Sequence, residues 1–284
     1  MPPGKKRVIE IREIHNDAGF RACWKLQREI WGPQFTDLVP ASILMVAAKT
    51  GGLVLGAFDG PKMVGFVCGF AGWKDSQKIH WSDMLAVKKP YRNQDIGLKL
   101  KLRQRQILKR RGVEEIYWTF DPLESKNAYF NFAKLGVVSR EYAPNLYGQT
   151  HSPLHQGRET DRLLAVWKIT DSHSKGGRTP SSGVCLQERN LINHCLLSKE
   201  AYLLPKAPNL DLKGEPLFLE IPSTLLELGL NPRRSRSYSI AIRQWLCHVR
   251  TACLCYFKKG YQIRHFIQAS VNERKGSFYV FEKK

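Results

Sequence analysis

The stretch Ile79-His80-Trp81-Ser82-Asp83-Met84-Leu85-Ala86-Val87, followed at once by Lys88-Lys89-Pro90-Tyr91-Arg92-Asn93-Gln94-Asp95-Ile96-Gly97, decides how this chain is read. The first part reads as a strand over Lys78–Val87, and the second as a turn that opens a helical stretch ending on Gly112. A turn at a helix N-terminus presents unpaired backbone N–H groups and the positive end of the helix dipole, which suits a diphosphate. Ten basic residues stand between 88 and 112 (Lys88, Lys89, Arg92, Lys99, Lys101, Arg103, Arg105, Lys109, Arg110 and Arg111) against the single acid Asp95. Ile96, Leu100 and Ile107 give the helix one apolar face, so most of that charge is expected to point outward.

Working outward, Val8–Ile14 reads as an opening strand, and Asn16 or Asp17 as the cap of a helix that Gly32-Pro33 stops. Ala41–Ala48 reads as a short second helix. Leu53–Phe58 and Met63–Phe70 flank Asp59-Gly60-Pro61 and read as a hairpin. Beyond the basic helix, Glu115–Phe120 is a strand, Lys126–Leu135 a helix stopped by Gly136, and Leu163–Ile169 a further strand. Residues 171–215 have weak periodicity and several prolines, and are expected to be a connecting segment. Leu217–Ile221 then reads as a strand, Arg236–Lys258 as a helix, and Tyr261–Gln268 with Ser277–Glu282 as paired strands. The expected division is therefore 1–170, 171–215 and 216–284.

A length of 284 residues with 43% apolar content suffices for a full-sized core. The formal net charge of +20 is spread along the chain: residues 1–170 hold 27 basic and 16 acidic residues, and residues 171–284 hold 18 and 9. Such a field attracts polyanions, whether nucleic acid, an acidic membrane surface or a phosphate-rich small molecule. Seven cysteines without metal-ligand spacing read as reduced thiols of a cytoplasmic protein. No apolar run has the length of a membrane span, and the first ten residues do not read as a signal peptide. Zinc spacing, a P-loop and a nucleophile elbow are absent, so no metal is expected.

The strand, the Arg92-x-x-x-Ile-Gly turn and the basic helix resemble the pyrophosphate-binding motif of the GNAT N-acyltransferase superfamily. Its usual form is Gln or Arg, two residues, Gly, one residue, then Gly or Ala. Arg92, Ile96 and Gly97 match, and Asp95 stands in place of the first glycine; Asp tolerates the left-handed backbone that glycine often supplies there. The segments Gln27–Gly32, Gly52–Phe58, Trp118–Leu123, Asn145–Gly148, Thr160–Arg162 and Lys259–Tyr261 are similar to one subfamily of predicted acetyltransferases with an added C-terminal portion. The resemblance implies an α/β (α+β) fold, with a mixed central sheet, flanking helices and a smaller C-terminal α+β extension. That extension would complete the acceptor site or form a homodimer contact.

It also implies a division of labour. Backbone groups of Leu85, Ala86 and Val87 would pair with the pantetheine of coenzyme A. The turn Arg92, Asn93, Gln94, Asp95, Ile96 and Gly97 would hold the pyrophosphate, with Asn127 nearby in the following helix. A base would deprotonate the acceptor ammonium, the free amine would attack the thioester, and the thiolate would leave. Asp83 is the first candidate for the base, with His80 and Glu124 as rivals. The usual acidic tyrosine position is Phe132, which has no proton to give, and the usual asparagine position is Ser125. Tyr129 or Tyr147 would substitute, or solvent would protonate the thiolate.

Bland readings are favoured elsewhere: Trp24, Trp31 and Trp118 as core or cleft wall, Asp161-Arg162 as a structural ion pair, and Arg233-Arg234-x-Arg236 as a solvated face. Arg243 and Arg250, seven apart on one helix, are open to carboxylate binding. Three functions then follow in order. The first is an acyl-CoA-dependent N-acyltransferase, using acetyl-CoA or a larger donor such as succinyl-CoA on an amino acid, a small amine or a protein amino group. Next comes a weakly catalytic GNAT-like module that binds coenzyme A. Last is a nucleic-acid binder, for which only charge argues.

Overall fold

In a computed structural model, residues 8–33, 35–148, 159–169, 186–197, 203–214, 216–223, 236–271 and 274–284 are described. They divide into two compact units: one holds the described residues up to Trp118 together with Lys168 and Ile169, and the other holds the rest.

The first unit runs β1 (Ile9–Glu13), α1 (Asp17–Trp31), α2 (Ala41–Lys49), β2 (Leu53–Asp59), β3 (Lys62–Lys74), β4 (Gln77–Val87), α3 (Ile96–Arg110) and β5 (Glu115–Phe120), whose last two residues pass into the second unit. Strands β1, β2, β3 and β4 are neighbours in that order and antiparallel, whereas β5 joins β4 in parallel, so the sheet is mixed. Asn16 is the cap of α1: its Oδ1 accepts from the Gly19 N–H at 2.9 Å, and Gly32 ends the helix. Period-two alternation then sorts the strand side chains into two layers. Val54, Phe58, Phe66 and Cys68 bury against Phe20, Cys23, Leu26 and Leu44 of α1 and α2. The opposite layer meets α3, through Ile96, Leu100, Lys101, Gln104, Ile107 and Leu108.

One irregularity in β4 positions the site. Met84 lies opposite Cys68 and Ser82 opposite Gly69, which leaves Asp83 as the extra residue of a β-bulge. Before the bulge, His80 and Ser82 point to α3, where both bond to Gln104. After it, Met84 and Ala86 pack in the α1–α2 core. Gly69 is required here, since a Cβ would stand 2.3 Å from the Trp81 carbonyl and 2.4 Å from His80 Nε2.

The second unit contains α4 (Ser125–Tyr129), which widens into a π-turn over Phe130–Leu135, then β6 (Val138–Ala143), β7 (Arg162–Lys168), β8 (Cys195–Leu197), β9 (Leu203–Pro205), β10 (Leu217–Ile221), α5 (Arg236–Lys258), β11 (Tyr261–Val271) and β12 (Arg274–Lys283). Strands β7, β6, β11, β12 and β10 are neighbours in that order and antiparallel throughout. Strands β8 and β9 form a separate ribbon within the stretch read as a connecting segment. The α+β class, the mixed sheet with flanking helices and the C-terminal strands agree with the sequence reading. The grouping differs from the division at residues 170 and 215, because β6 and β7 share their sheet with β11. Strand β6 is not legible in the sequence: Arg140 and Glu141 fall side by side and blur its alternation.

Two charged clusters hold the second unit together. Asp161 is buried and receives Tyr142 Oη at 2.6 Å, the Asn145 N–H at 2.9 Å, Arg250 Nε at 2.8 Å and Arg250 Nη2 at 2.7 Å. The expected Asp161–Arg162 ion pair is therefore replaced by one with Arg250. Arg162 instead donates to the Asp161 backbone carbonyl at 2.9 Å and lies over the Tyr147 ring. Carboxylate binding by Arg250 is satisfied inside the chain, by Asp161 and Glu159. Arg243 is exposed, Arg233 and Arg234 lie outside the described residues, and so does the side chain of Arg236. The second cluster pairs the buried Glu220 with Arg274 through both carboxylate oxygens.

Candidate active site

The site grows from the edge that β4 turns toward β5. Pairing there runs through Ile79–Trp81 opposite Glu115–Tyr117 and, among the described residues, goes no further. From Ser82 to Val87 that edge of β4 is left for another partner, while the opposite edge stays bonded to β3 as far as Gly65–Val87. The strand therefore supplies a row of backbone groups at Leu85, Ala86 and Val87. Exposed backbone of this kind is a ready template for an extended ligand.

At the end of that row the chain turns sharply. Lys88 is held by Glu29, with Nζ donating to Oε2 at 2.6 Å, and Tyr91 Oη donates to Asp59 Oδ2 at 2.8 Å. Arg92 Nε donates to the Val87 carbonyl at 3.1 Å, and Gln94 Nε2 to the Pro90 carbonyl at 3.1 Å. Asn93 and Asp95 adopt left-handed backbone, with φ of 61° and 53°. Asp95 is the N-cap residue of α3 and so takes the conformation expected of glycine at this point; its side chain makes no capping bond. The first helical bond is donated by Lys99 to the Asp95 carbonyl at 2.9 Å, so the preceding amides face out of the helix start. Residues Arg92 to Asp95 are all exposed. Exposed amides and the positive end of the helix dipole at this turn form an arrangement that can accommodate an anion, with Arg92 at its start.

Asp83 sits between the open edge and the closed part of the fork. It is exposed at the bulge, yet the surrounding protein removes enough water to hold its carboxyl above the ordinary carboxylate value. A raised carboxyl suits a base that works near neutral pH. His80, the rival, is fully buried. Burial, followed by the charges of Lys101 and Arg111, lowers its imidazole to about 3, so it is neutral. Gln104 Nε2 donates to its Nε2 at 3.2 Å, which places the ring proton on Nδ1, and Nδ1 has no partner among the described residues. The lone pair a base needs is already in use.

Behind Asp83 lies a group that the sequence reading missed. Lys101, one of the ten basic residues of which most are expected to point outward, is 2% exposed. Its Nζ donates to Ser82 Oγ at 2.8 Å and to Gln104 Oε1 at 3.3 Å, and stands 3.7 Å from the centroid of the Trp118 ring. Burial brings its ammonium down to about 7. The signal was present: Lys101 follows Leu100 on the apolar face, one turn before Gln104 and two turns before Leu108. The other cations of α3 behave as expected or bind backbone: Arg105 reaches the Ile169 carbonyl at 2.8 Å, and Arg111 reaches Glu13 at 2.7 Å and the Gly52 carbonyl at 2.9 Å.

The remaining candidates belong to the second unit. Glu124 is the exposed N-cap residue of α4 and makes no capping bond. Asn127 is exposed, and its Oδ1 accepts from Asn131 Nδ2 at 3.2 Å. Tyr129 is 43% exposed on the same short helix. Tyr147 Oη is bonded to Thr119 Oγ1 at 2.8 Å. Phe132 is buried edge-on between Phe120 and Tyr279, at ring distances of 6.0 and 5.7 Å, and Ser125 Oγ donates to Ser277 Oγ at 3.1 Å. Trp118 is buried, whereas Trp24 is half-buried beneath the Arg28 guanidinium and Trp31 packs against Phe35 and Phe66. No helix of the described residues is long and apolar enough to cross a membrane.

Residues 15–136 match the model of a family described as the acetyltransferase (GNAT) family. Among solved structures, Naa50 of Arabidopsis thaliana, in complex with the bisubstrate analogue CoA-Ac-MVNAL, is 17% identical with a TM-score of 0.46, over 56% of this chain and 97% of that one. The ribosomal-protein-S18-alanine N-acetyltransferase of Escherichia coli is 19% identical with a TM-score of 0.44, over 57% and 94%. The NatC complex bound to Gag peptide and CoA gives 15% identity and a TM-score of 0.47, over 57% and 99%. A comparison with curated proteins finds no match. The strand, the left-handed turn and the basic helix all lie inside the matched stretch, and residues 15–136 form an acetyltransferase domain of the GNAT family.

Proposed function

We propose that this chain transfers an acyl group from coenzyme A to an amine by direct attack in a ternary complex. The observation that carries the reading is the open edge of β4 from Ser82 to Val87, which runs straight into the exposed left-handed turn at the start of α3. A strand edge and an anion-binding turn in sequence match the two ends of an acyl-pantetheine diphosphate.

In this reading Leu85, Ala86 and Val87 bond the pantetheine arm through their backbone. Arg92, Asn93, Gln94, Asp95, Ile96 and Gly97 hold the diphosphate, and Asn127 adds a contact from α4. Asp83 takes the proton from the acceptor ammonium, with its raised carboxyl as the supporting observation. Glu124 and Tyr129 are the polar side chains of the second unit assigned to the same reaction, Glu124 as the alternative base and Tyr129 as a proton donor. The donor is acetyl-CoA, with succinyl-CoA as the larger alternative. The acceptor is a free amino acid, a small amine or a protein amino group. We assign the protein to the cytoplasm and its C-terminal part to completing the acceptor site or a homodimer contact.

A second reading, a module that binds coenzyme A without turnover, is favoured by one observation: Phe132 fills the expected acid position and is locked in an aromatic cluster. One experiment separates the two. Calorimetry with acetyl-CoA, succinyl-CoA and free coenzyme A measures binding, and thiol release over a panel of amino acids, polyamines and peptides with free N-termini measures transfer. Binding with thiol release supports transfer, and binding alone supports the module. If none of the three ligands binds, both readings fall.

A further inference from the structure

The ammonium of Lys101 occupies the closed end of the fork between β4 and β5. The last paired residues are Trp81 and Tyr117. Ser82 and Trp118 come next on the two strands, and Lys101 Nζ touches both, at 2.8 Å from Ser82 Oγ and 3.7 Å from the Trp118 ring centroid. Two of its N–H groups are used by Ser82 and Gln104, and the third has no acceptor among the described residues. No carboxylate lies within ion-pair distance of it there. The titratable groups around it are Cys68 on β3 and His80 and Asp83 on β4, with Arg111 of the α3 end acting on His80.

A buried ammonium without a counter-ion is costly, and apolar residues of the same shape usually serve stability better. Charge kept in such a place complements charge that appears only during a reaction. The open edge of β4 leads to this point. From Val87 back to Ser82 is roughly 16 Å of extended strand at ordinary rise, about the reach of a stretched pantetheine arm. A thioester carried along that edge from the turn arrives beside the bulge, at the mouth of the space that Lys101 closes. The sulfur becomes negative as the acyl group leaves.

We infer that Lys101 is the group that meets the departing coenzyme A thiolate and gives it a proton. This inference rests on the acyltransferase reading above. In the step assigned to it, the carbon–sulfur bond of the tetrahedral adduct breaks and its electron pair stays on sulfur. One N–H proton of Lys101 passes to that sulfur, leaving a neutral amine still bonded to Ser82 and Gln104. Solvent returns a proton to Lys101; the acceptor nitrogen gives up two protons, one to the base before attack and one to solvent as the adduct collapses, so the cycle releases one proton net. The position of Phe132 then needs no acid, because Lys101 supplies the proton.

The test needs no knowledge of the acceptor. The ultraviolet absorbance of the thiolate is titrated in complexes of the full-length protein with coenzyme A, against complexes with S-methyl coenzyme A, for wild type and Lys101→Met. The expected result is a bound thiol that ionises at least tenfold more readily in the wild type, with coenzyme A affinity equal within about threefold. Thermal melting is measured alongside: the methionine variant melts at a higher temperature at pH 6, since it removes an unpaired buried charge. If Lys101→Met does not fold, Lys101→Gln, which keeps the hydrogen bonds without the charge, takes its place. Identical thiol titrations in wild type and variant overturn the inference while leaving the acyltransferase reading intact. Failure of the wild type to bind coenzyme A removes both, and is recognised before any titration.

Discussion

Arg250 on α5 grips Asp161 with two nitrogens, Nε at 2.8 Å and Nη2 at 2.7 Å, and Asp161 has no side-chain exposure at all. A carboxylate in that position depends on every donor around it. Arg250→Met leaves a buried charge facing only Tyr142 Oη and the Asn145 N–H, and is expected to cost about 3–5 kcal/mol. Chemical denaturation measures it. The double variant Asp161→Asn with Arg250→Met is expected to lose less than the sum of the two single losses, because the second change removes a partner that is already unpaired.

Asp83→Asn tests the base. The substitution keeps the shape of the bulge and removes proton acceptance, so kcat is expected to fall about 100-fold or more while the KM for the acyl donor barely moves. A base acts when deprotonated, and the carboxyl of Asp83 is raised. The acid limb of the wild-type kcat profile is therefore expected at a higher pH than an ordinary aspartate would give, and is expected to vanish in the variant.

Lys101 and His80 make stability depend on pH in the same direction. The folded-state ammonium of Lys101 titrates near 7 against 10.5 for the ordinary group, so between those values the unfolded chain binds the extra proton and stability rises with pH. The full effect is as much as about 5 kcal/mol, and is lost in Lys101→Met. His80, lowered to about 3 from 6.5, destabilises the fold as pH drops through that window. Urea midpoints collected from pH 4 to pH 10 on both variants, Lys101→Met and His80→Gln, check the two slopes separately.

Phe132→Tyr puts a hydroxyl where the family usually keeps one, yet no gain in kcat is expected. Phe132 is 1% exposed and ringed by Phe120 and Tyr279. A hydroxyl forced into that cluster without a partner costs about 1–3 kcal/mol. The melting temperature is expected to drop with turnover unchanged. A rise in kcat would mean that the aromatic cluster opens toward the ligand.

The elements of the candidate site were legible because they announce themselves locally. β4, the turn and α3 are contiguous, and their residues state their own geometry: Asp95 tolerates positive φ, and Ile96, Leu100 and Ile107 mark one face. Asn16 as a cap and Gly32 as a stop are likewise written at the positions where they act. What stayed hidden depends on partners far away in sequence. Whether Lys101 points in or out is settled by Ser82 and Trp118, and whether Asp161 pairs with Arg162 or with Arg250 is settled by a helix 89 residues later. The bulge at Asp83 was equally silent, since it exists only in the register between β4 and β3. Short-range pattern reveals which residues form an element, and long-range pairing decides what their side chains meet.

The extra residue in β4 makes the strand change allegiance halfway along. Even-numbered side chains serve the α3 layer up to Ser82 and the α1–α2 layer from Met84 onward. Deleting Asp83 would straighten the ladder while leaving Ser82 opposite Gly69 and Met84 opposite Cys68. Met84 and Ala86 would stay in the α1–α2 layer, and the strand would lose the exposed carboxyl at the bulge. The extra residue therefore sets one carboxyl outside the ladder, and other length changes in this hairpin are expected to be tolerated at its tip, where Asp75 and Ser76 already bend through positive φ.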